Sequence, residues 1–187
     1  ITVLGIFTGA RLEELAQLDL GNVKKDKASD FWFLDINGHD GRNLKTQASW
    51  RLVPLLPAVM ECGLAQYVDQ VRAAGHSRLF PQWKPRTDPK HGGMNYGHKI
   101  SRWGGVQLAL LRKNGQVTTP KTTYFHSMRH TLVNHLKQAM VDENLRAAIV
   151  GHEIGGINQN HYGKQYGVKL LSDAMVSAMR PYAELLA

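Results

Sequence analysis

The chain has 187 residues and one cysteine, Cys62. A single cysteine excludes an internal disulfide framework and any multi-cysteine zinc site. No uncharged apolar run reaches the roughly 18–20 residues that a membrane helix needs. The apolar opening, Ile1 to Phe7, has no basic region before it and no small-residue cleavage site after it, so it makes a poor signal peptide. These absences fit a reducing, cytoplasmic setting. Internal repeats and low-complexity tracts are missing too. With 43% hydrophobic and 20% charged residues, the balance is that of a globular domain rather than a disordered chain. A mass of 20.9 kDa suits one domain able to bury a core without metal or disulfide staples. The chain opens on Ile inside a structured-looking segment, so a fragment of a longer protein, cut near a domain boundary, is expected.

Negative charge is scarce in one region. The net charge is +8, yet the segment from Phe80 to Lys137 holds ten basic residues against Asp88 alone, while the remaining 13 basic and 14 acidic residues nearly cancel. A concentrated basic segment in an otherwise neutral chain implies a polyanionic partner, with affinity that falls steeply as salt rises. The plainer alternative is a solvated surface that keeps the protein soluble, and charge alone leaves both open. A membrane surface fits less well, because the basic residues do not lie on one strongly amphipathic helix.

Periodicity predicts a mixed α+β domain, mainly helical, with a small antiparallel hairpin at one edge. Ile1–Phe7 reads as the end of a helix broken at Thr8-Gly9. Arg11–Leu18 restarts with Leu12, Leu15 and Leu18 on one face. Phe31–Ile36 and Ser49–Leu55 read as hairpin strands around the turn residues Gly38–Asn43, with Leu18–Val23 as a third strand. Pro57–Ala74 reads as a helix and Gly75–Gly93 as a surface loop. Asn95–Lys113, Phe125–Ala139 and Glu143–Val150 read as helices, and Gly151–Gly163 as a connection. Val168–Leu186 reads as a last amphipathic helix interrupted at Pro181, with Leu171, Met175, Ala178, Tyr182 and Leu185 along one stripe.

Four distant segments hold groups suited to phosphate chemistry. Arg11 opens a helix beside Glu13 and Glu14. Lys45 lies at the hairpin. His126 and Arg129 are three apart, on one helix face. Gly151-His152 precedes a loop ending in His161-Tyr162-Gly163. Cleaving a phosphodiester without a metal loads negative charge onto the non-bridging oxygens, which two guanidiniums can clamp bidentately. It also needs a nucleophile, which a tyrosine phenolate supplies, and a proton for the leaving oxygen, which lysine or histidine supplies. Taken singly, each residue has an ordinary structural explanation. Arg11 could pair with Glu14 or Glu13, Lys45 could be a hairpin-tip lysine, and His152 could be structural. His126 and His130 could satisfy local backbone groups or begin a zinc site, although no third ligand is evident. The set and its order are what argue for a site.

That order is Thr-Gly-x-Arg-x-x-Glu-Leu at Thr8–Leu15, then Lys-Thr-x-x-Ser-x-Arg-x-x-Pro-Leu at Lys45–Leu55. His-x-x-Arg-His-Thr follows at His126–Thr131, then Gly151-His152, then Tyr162. It resembles the tyrosine recombinases, the phage-integrase family, along nearly the whole chain. The resemblance implies the catalytic-domain fold of that family for residues 1–187, without the N-terminal helical domain that usually clamps DNA. Affinity for DNA would then be weak in this part alone. It implies that Arg11 and Arg129 bind the scissile phosphate, and that Lys45 protonates the leaving 5′-oxygen. His126 would act as acid or base, and His152 would bond the phosphate or orient the site. Tyr162 would attack to form a 3′-phosphotyrosyl link, with Glu14 supporting the site from behind. Double-stranded DNA is the implied partner and no metal or nucleotide cofactor is expected. Site-specific recombination or integration is the implied activity, in a cytoplasmic, DNA-associated setting. The ten-residue step from His152 to Tyr162 is slightly longer than the family's, with Gly155-Gly156 to absorb the excess, and Tyr166 is the second candidate nucleophile. Family members act as tetramers on DNA; the domain alone is expected to be a monomer. The final helix would dock on a neighbouring protomer or pack on its own core. Two rival readings remain: a type IB topoisomerase-like enzyme with the same tyrosine and arginine chemistry, and a non-catalytic DNA-binding domain.

Overall fold

In the computed structural model, the described residues are 1–39, 42, 44, 49–87, 93–119, 124–152, 166–184 and 186. The fold is mixed α+β and mostly helical, with small antiparallel sheets. Helix α1 (Thr2–Thr8) ends at Gly9, whose φ of 59° turns the chain into α2 (Leu12–Ala16). The Thr8 hydroxyl donates to the Leu4 carbonyl at 2.5 Å and accepts from the Ala10 amide at 3.2 Å, which fixes this turn.

The two expected hairpin strands pair antiparallel; of the turn expected between them, Asp40, Gly41 and Asn43 lie outside the described residues. Strands β1 (Val23–Lys25), β2 (Trp32–Ile36) and β3 (Arg51–Leu55) make an antiparallel sheet in the order β1-β2-β3. The third strand is not Leu18–Val23. Leu20–Asn22 is a 3-10 turn, closed by the Asn22 side chain accepting from the Asp19 amide at 2.9 Å, and the strand starts only at Val23. Asp and Asn side chains offer the backbone such local partners and draw it out of a ladder. Pro54 pairs opposite Phe33 inside β3 rather than ending it. It is tolerated because β3 is an edge strand and needs no amide donor on its open side.

The single helix expected over Pro57–Ala74 is instead α3 (Pro57–Val59), a π-helical turn at Met60–Leu64 containing Gly63, and α4 (Ala65–Ala73). Within the expected loop 75–93, β4 (Arg86–Thr87) forms, pairing with β5 (Met94–Asn95) in a two-residue ladder too short to show periodicity. Then follow α5 (His98–Lys113), α6 (Tyr124–Gln138), α7 (Glu143–Val150) and α8 (Val168–Ala183). Asp142 caps α7 by accepting from the Asn144 and Leu145 amides, the ordinary role of an N-cap aspartate. Pro181 does not interrupt α8; the helix runs through it to Ala183. Lacking an amide hydrogen, Pro181 forgoes only the bond to the carbonyl four residues before it.

Helix α6 is the central element. Its Leu132 and Leu136 are fully buried, and it packs against α1, α5, α7 and α8. The stripe on α8 settles on this core: Leu171, Met175 and Ala178 are buried, and α8 lies against α6 and β3. Of the two placements considered for that stripe, the chain's own core is the one observed; Leu185 lies outside the described residues. Contact of α5 with α6 depends on Gly104, where a Cβ would lie 1.9 Å from the Tyr124 ring. At Gly105 a Cβ would meet nothing within 4 Å. Gly104→Ala should therefore destabilise the domain by about 1–3 kcal/mol through overpacking. Gly105→Ala should stabilise it by about 0.5–1 kcal/mol, the usual helix-interior preference. Urea denaturation of the two variants checks this, and equal effects would show that the α5–α6 approach has been misread.

Candidate functional site: a cationic cleft over a buried carboxylate

The site is built on Glu14, which is 3% exposed. Its carboxylate first closes the start of α2, accepting from the Arg11 amide at 2.8 Å. It then accepts from Arg11 Nη1 at 2.6 Å and from Arg51 Nη2 at 2.9 Å. Arg11 Nη1 also donates to the Ser49 hydroxyl at 3.1 Å. The pairing of Arg11 with Glu14 raised as its ordinary explanation is thus real. Arg11 nonetheless also borders the cleft described below.

Arg51 is 4% exposed. Strand parity explains this: in β3, positions 51, 53 and 55 share one face, and Val53 and Leu55 are core. Sequence reasoning assigned Arg51 no role, although that alternation was the signal that could have found it. Besides Glu14, Arg51 donates from Nε to the Ile149 carbonyl at 2.9 Å and from Nη1 to the Ser49 carbonyl at 2.8 Å. It therefore ties β3 to α2 and to the end of α7.

Arg129 on α6 is 2% exposed. Its Nη1 donates to the Gly9 carbonyl at 2.9 Å and its Nη2 to the Gly151 carbonyl at 3.4 Å. Both acceptors are glycines in left-handed turns, with φ of 59° and 68°. A Cβ on Gly9 would lie 2.7 Å from Leu132, and one on Gly151 would lie 2.9 Å from Arg51 Nη1. Glycine at these two positions turns the ends of α1 and α7 so that their carbonyls hold the guanidinium. Two of the five N–H donors of Arg129 are used in this way.

The charges do not balance locally. Arg11, Arg51 and Arg129 surround the single carboxylate of Glu14. Burial pushes the Arg129 pKa down to about 10, and the charges of Arg51 and Arg11 push the same way against the pull of Glu14. Arg129 is still cationic at neutral pH. Burial would raise the Glu14 pKa, but Arg51, by charge and hydrogen bond, and Arg11 hold it below the ordinary carboxylate range.

Arg11 and Arg129 border a cleft of about 680 Å³ that His126 and Arg112 also line. Its walls are Ala10 and Leu12 from the α1–α2 turn, Ser101, Gly105 and Leu108 from α5, and Tyr124 and Phe125 from α6. The α5 wall is pinned by Glu13, whose carboxylate accepts from the Tyr96 and Gly97 amides at 2.5 and 2.9 Å, just before α5 begins. His126 is exposed, and its ring lies edge-on to His130 with centroids 4.5 Å apart. His152, directly after the α7 cap, is exposed. Partial desolvation lowers its pKa, and Arg129, Arg11, Arg51 and His130 add to the effect by charge. Of the six residues singled out from the sequence, Arg11, His126 and Arg129 thus share the cleft, and His152 lies within reach of the same charges. Lys45 and Tyr162 lie outside the described residues. Tyr166 packs half-buried against the hydrophobic core. Among the described residues no three His, Cys, Asp or Glu side chains are grouped as a metal site requires, and no helix is long and apolar enough to cross a membrane.

No family model matches the chain, and no curated protein matches it in sequence.

Two predictions follow from the charge arrangement. Glu14→Gln leaves Arg51 buried without a counter-charge, and should cost about 3–5 kcal/mol in urea denaturation. Asp69→Asn, which breaks the exposed Arg72–Asp69 pair, should cost less than about 1 kcal/mol. Second, His152 should titrate below its ordinary value of 6.5 by NMR, and sulfate should move that midpoint upward by screening the arginines. Because the folded state favours the neutral ring, the unfolded chain takes the proton first as pH falls through 6.5. Stability should therefore decline from that pH down to the folded-state midpoint, and His152→Gln should remove this part of the decline.

Proposed function

We propose that this chain is the catalytic domain of a tyrosine-recombinase-like enzyme that cleaves and rejoins DNA strands through a 3′-phosphotyrosyl intermediate. The observation that carries the reading is the convergence of Arg11 and Arg129 on one cleft, over a buried carboxylate outnumbered by guanidiniums. An excess of fixed, desolvated positive charge stabilises an anion, and most of all one whose charge grows in the transition state. The order of the motifs from Thr8 to Tyr162 supports the same reading.

In this mechanism the phosphodiester sits against Arg11 and Arg129, whose N–H groups take the non-bridging oxygens. The Tyr162 phenol gives up its proton to a base, with His126 in that role, and its oxygen attacks phosphorus. The bond from phosphorus to the 5′-oxygen breaks, and Lys45 supplies the proton that leaves a free 5′-hydroxyl. His152, its pKa lowered by partial burial and then by the neighbouring arginines, donates a hydrogen bond from its neutral ring to a phosphate oxygen. Rejoining is the reverse: a 5′-hydroxyl attacks the phosphotyrosine, and the phenol recovers its proton. The phosphodiester energy is conserved in the tyrosyl ester, so the cycle consumes no nucleotide. Half-burial of Tyr166 against the core favours Tyr162 as the nucleophile.

The test is covalent capture on a pool of nicked duplexes of randomised sequence, in which the cleaved end diffuses away. Wild type should yield a protein–DNA adduct that survives detergent, Tyr162→Phe none, and Arg129→Ala a rate lower by ~10²–10³. No adduct from wild type refutes the catalytic reading. An adduct retained by Tyr162→Phe and lost in Tyr166→Phe moves the nucleophile to Tyr166. Relaxation of supercoiled plasmid by the single protein, without site preference, would point to the topoisomerase-like alternative.

A further inference from the structure

Helix α5 contributes a wall of the cleft that none of the sequence motifs includes. It carries Lys99, Arg102, Arg112 and Lys113 and no acidic residue. Ser101, Gly105, Leu108 and Arg112 recur at steps of four, three and four residues, so they form one line along the helix, and all four border the cleft. The line is held in place twice. Glu13 fastens the start of α5 to α2, and Gly104 lets the helix close on Tyr124. Gly104 therefore has a packing reason to be glycine. Gly105 has none: a side chain there would meet no protein atom within 4 Å, and the residue lies in the middle of a helix, where glycine is disfavoured. Its missing side chain instead keeps the cleft open between Arg11 and Arg129 on one side and α5 on the other. Arg112 lies seven residues further along, about 10 Å down the helix axis.

We propose that α5 is the second wall of a DNA groove, in which Arg112 contacts a phosphate flanking the one held at Arg11 and Arg129, and Gly105 leaves room for the sugar–phosphate backbone between them. The inference rests on the reading of the cleft as a DNA phosphodiester site. Among the described residues that line the cleft, the charged side chains are Arg11, Arg112 and Arg129, and the two nearest carboxylates are already engaged, Glu14 with Arg11 and Arg51 and Glu13 with the Tyr96 and Gly97 amides. A contact to phosphate carries no base information, so Arg112 sets affinity and register rather than sequence preference.

The experiment measures binding of the whole chain to two unrelated duplexes across a series of salt concentrations. Arg112→Gln should weaken binding by the same factor on both duplexes and reduce the slope of log affinity against log salt by about 1. Arg72→Gln removes an equal charge from the exposed face of α4, where Arg72 pairs with Asp69, and should leave the slope as in wild type. Gly105→Leu should weaken binding by obstruction while leaving the slope unchanged and the melting temperature no lower than wild type. Equal slopes for Arg112→Gln and Arg72→Gln would overturn the phosphate contact, and wild-type binding by Gly105→Leu would overturn the role of the gap. Covalent capture separates this from the catalytic reading. If wild type forms the adduct while Arg112→Gln behaves as Arg72→Gln, the wall is wrong and the cleavage reading stands. If wild type forms no adduct yet Arg112→Gln loses about one unit of slope, the groove binds DNA without the proposed chemistry.

Discussion

One carboxylate holds the site together. Glu14 is shared by Arg11 and Arg51 at 2.6 and 2.9 Å, and Arg129 lies close enough for all three charges to act on it. Three buried or half-buried guanidiniums facing one another would repel. The fold keeps them together with Glu14 and with backbone oxygens: Gly9 and Gly151 for Arg129, Ser49 and Ile149 for Arg51. Carbonyl dipoles satisfy the donors without cancelling the charge. The cleft is thus left with an excess of positive charge, of which the Arg129 share is desolvated by burial.

The same interactions explain why such short elements persist. Helix α2 has five residues, α7 eight, and β3 five. None would be stable alone in water, where isolated helices shorter than about 12–15 residues are marginal. Arg51 joins all three, and Arg129 joins the C-terminal turns of α1 and α7 to α6. Fold and site are therefore one network. A substitution that unpairs Glu14 loosens the elements that carry the guanidiniums as well as the charges themselves.

What could be read from sequence follows the range of the physics involved. Elements governed by local periodicity and capping were legible: α7 over Glu143–Val150, the break at Gly9, and the pairing of Phe31–Ile36 with Ser49–Leu55. Leu18–Val23 was misread because apolar content suggested a strand where Asp19 and Asn22 had already closed a turn. The ladder of Arg86–Thr87 with Met94–Asn95 is too short to have a period. Within the site, Arg11, His126, Arg129 and His152 were legible as a motif, but their division of labour was not. His126 and Arg129 sit on one helix, yet one is exposed and the other buried, because Arg129 turns toward the Gly9 and Gly151 carbonyls. Arg112 was invisible for a different reason. Its place on the cleft wall depends on how α5 is rotated against α6, which Gly104 and Tyr124 decide by contact across the fold.

The residue types at the site follow from the potential they create. Arg129 is pushed down to about 10 and keeps its proton at any physiological pH. A lysine starts from an ordinary value of about 10.4, below that of arginine, so the same burial and neighbouring cations would bring it closer to losing its proton at neutral pH. Lysine would also lack the planar fork that reaches the Gly9 and Gly151 carbonyls at once. The imidazole of His152 responds differently: partial burial, with the charges of Arg129, Arg11 and Arg51 added to it, favours its neutral form. A neutral ring can donate from one nitrogen and accept at the other, which a fourth fixed cation could not. One electrostatic environment thereby sorts the side chains around it, keeping guanidiniums as permanent charge and leaving imidazole free to form hydrogen bonds or pass a proton.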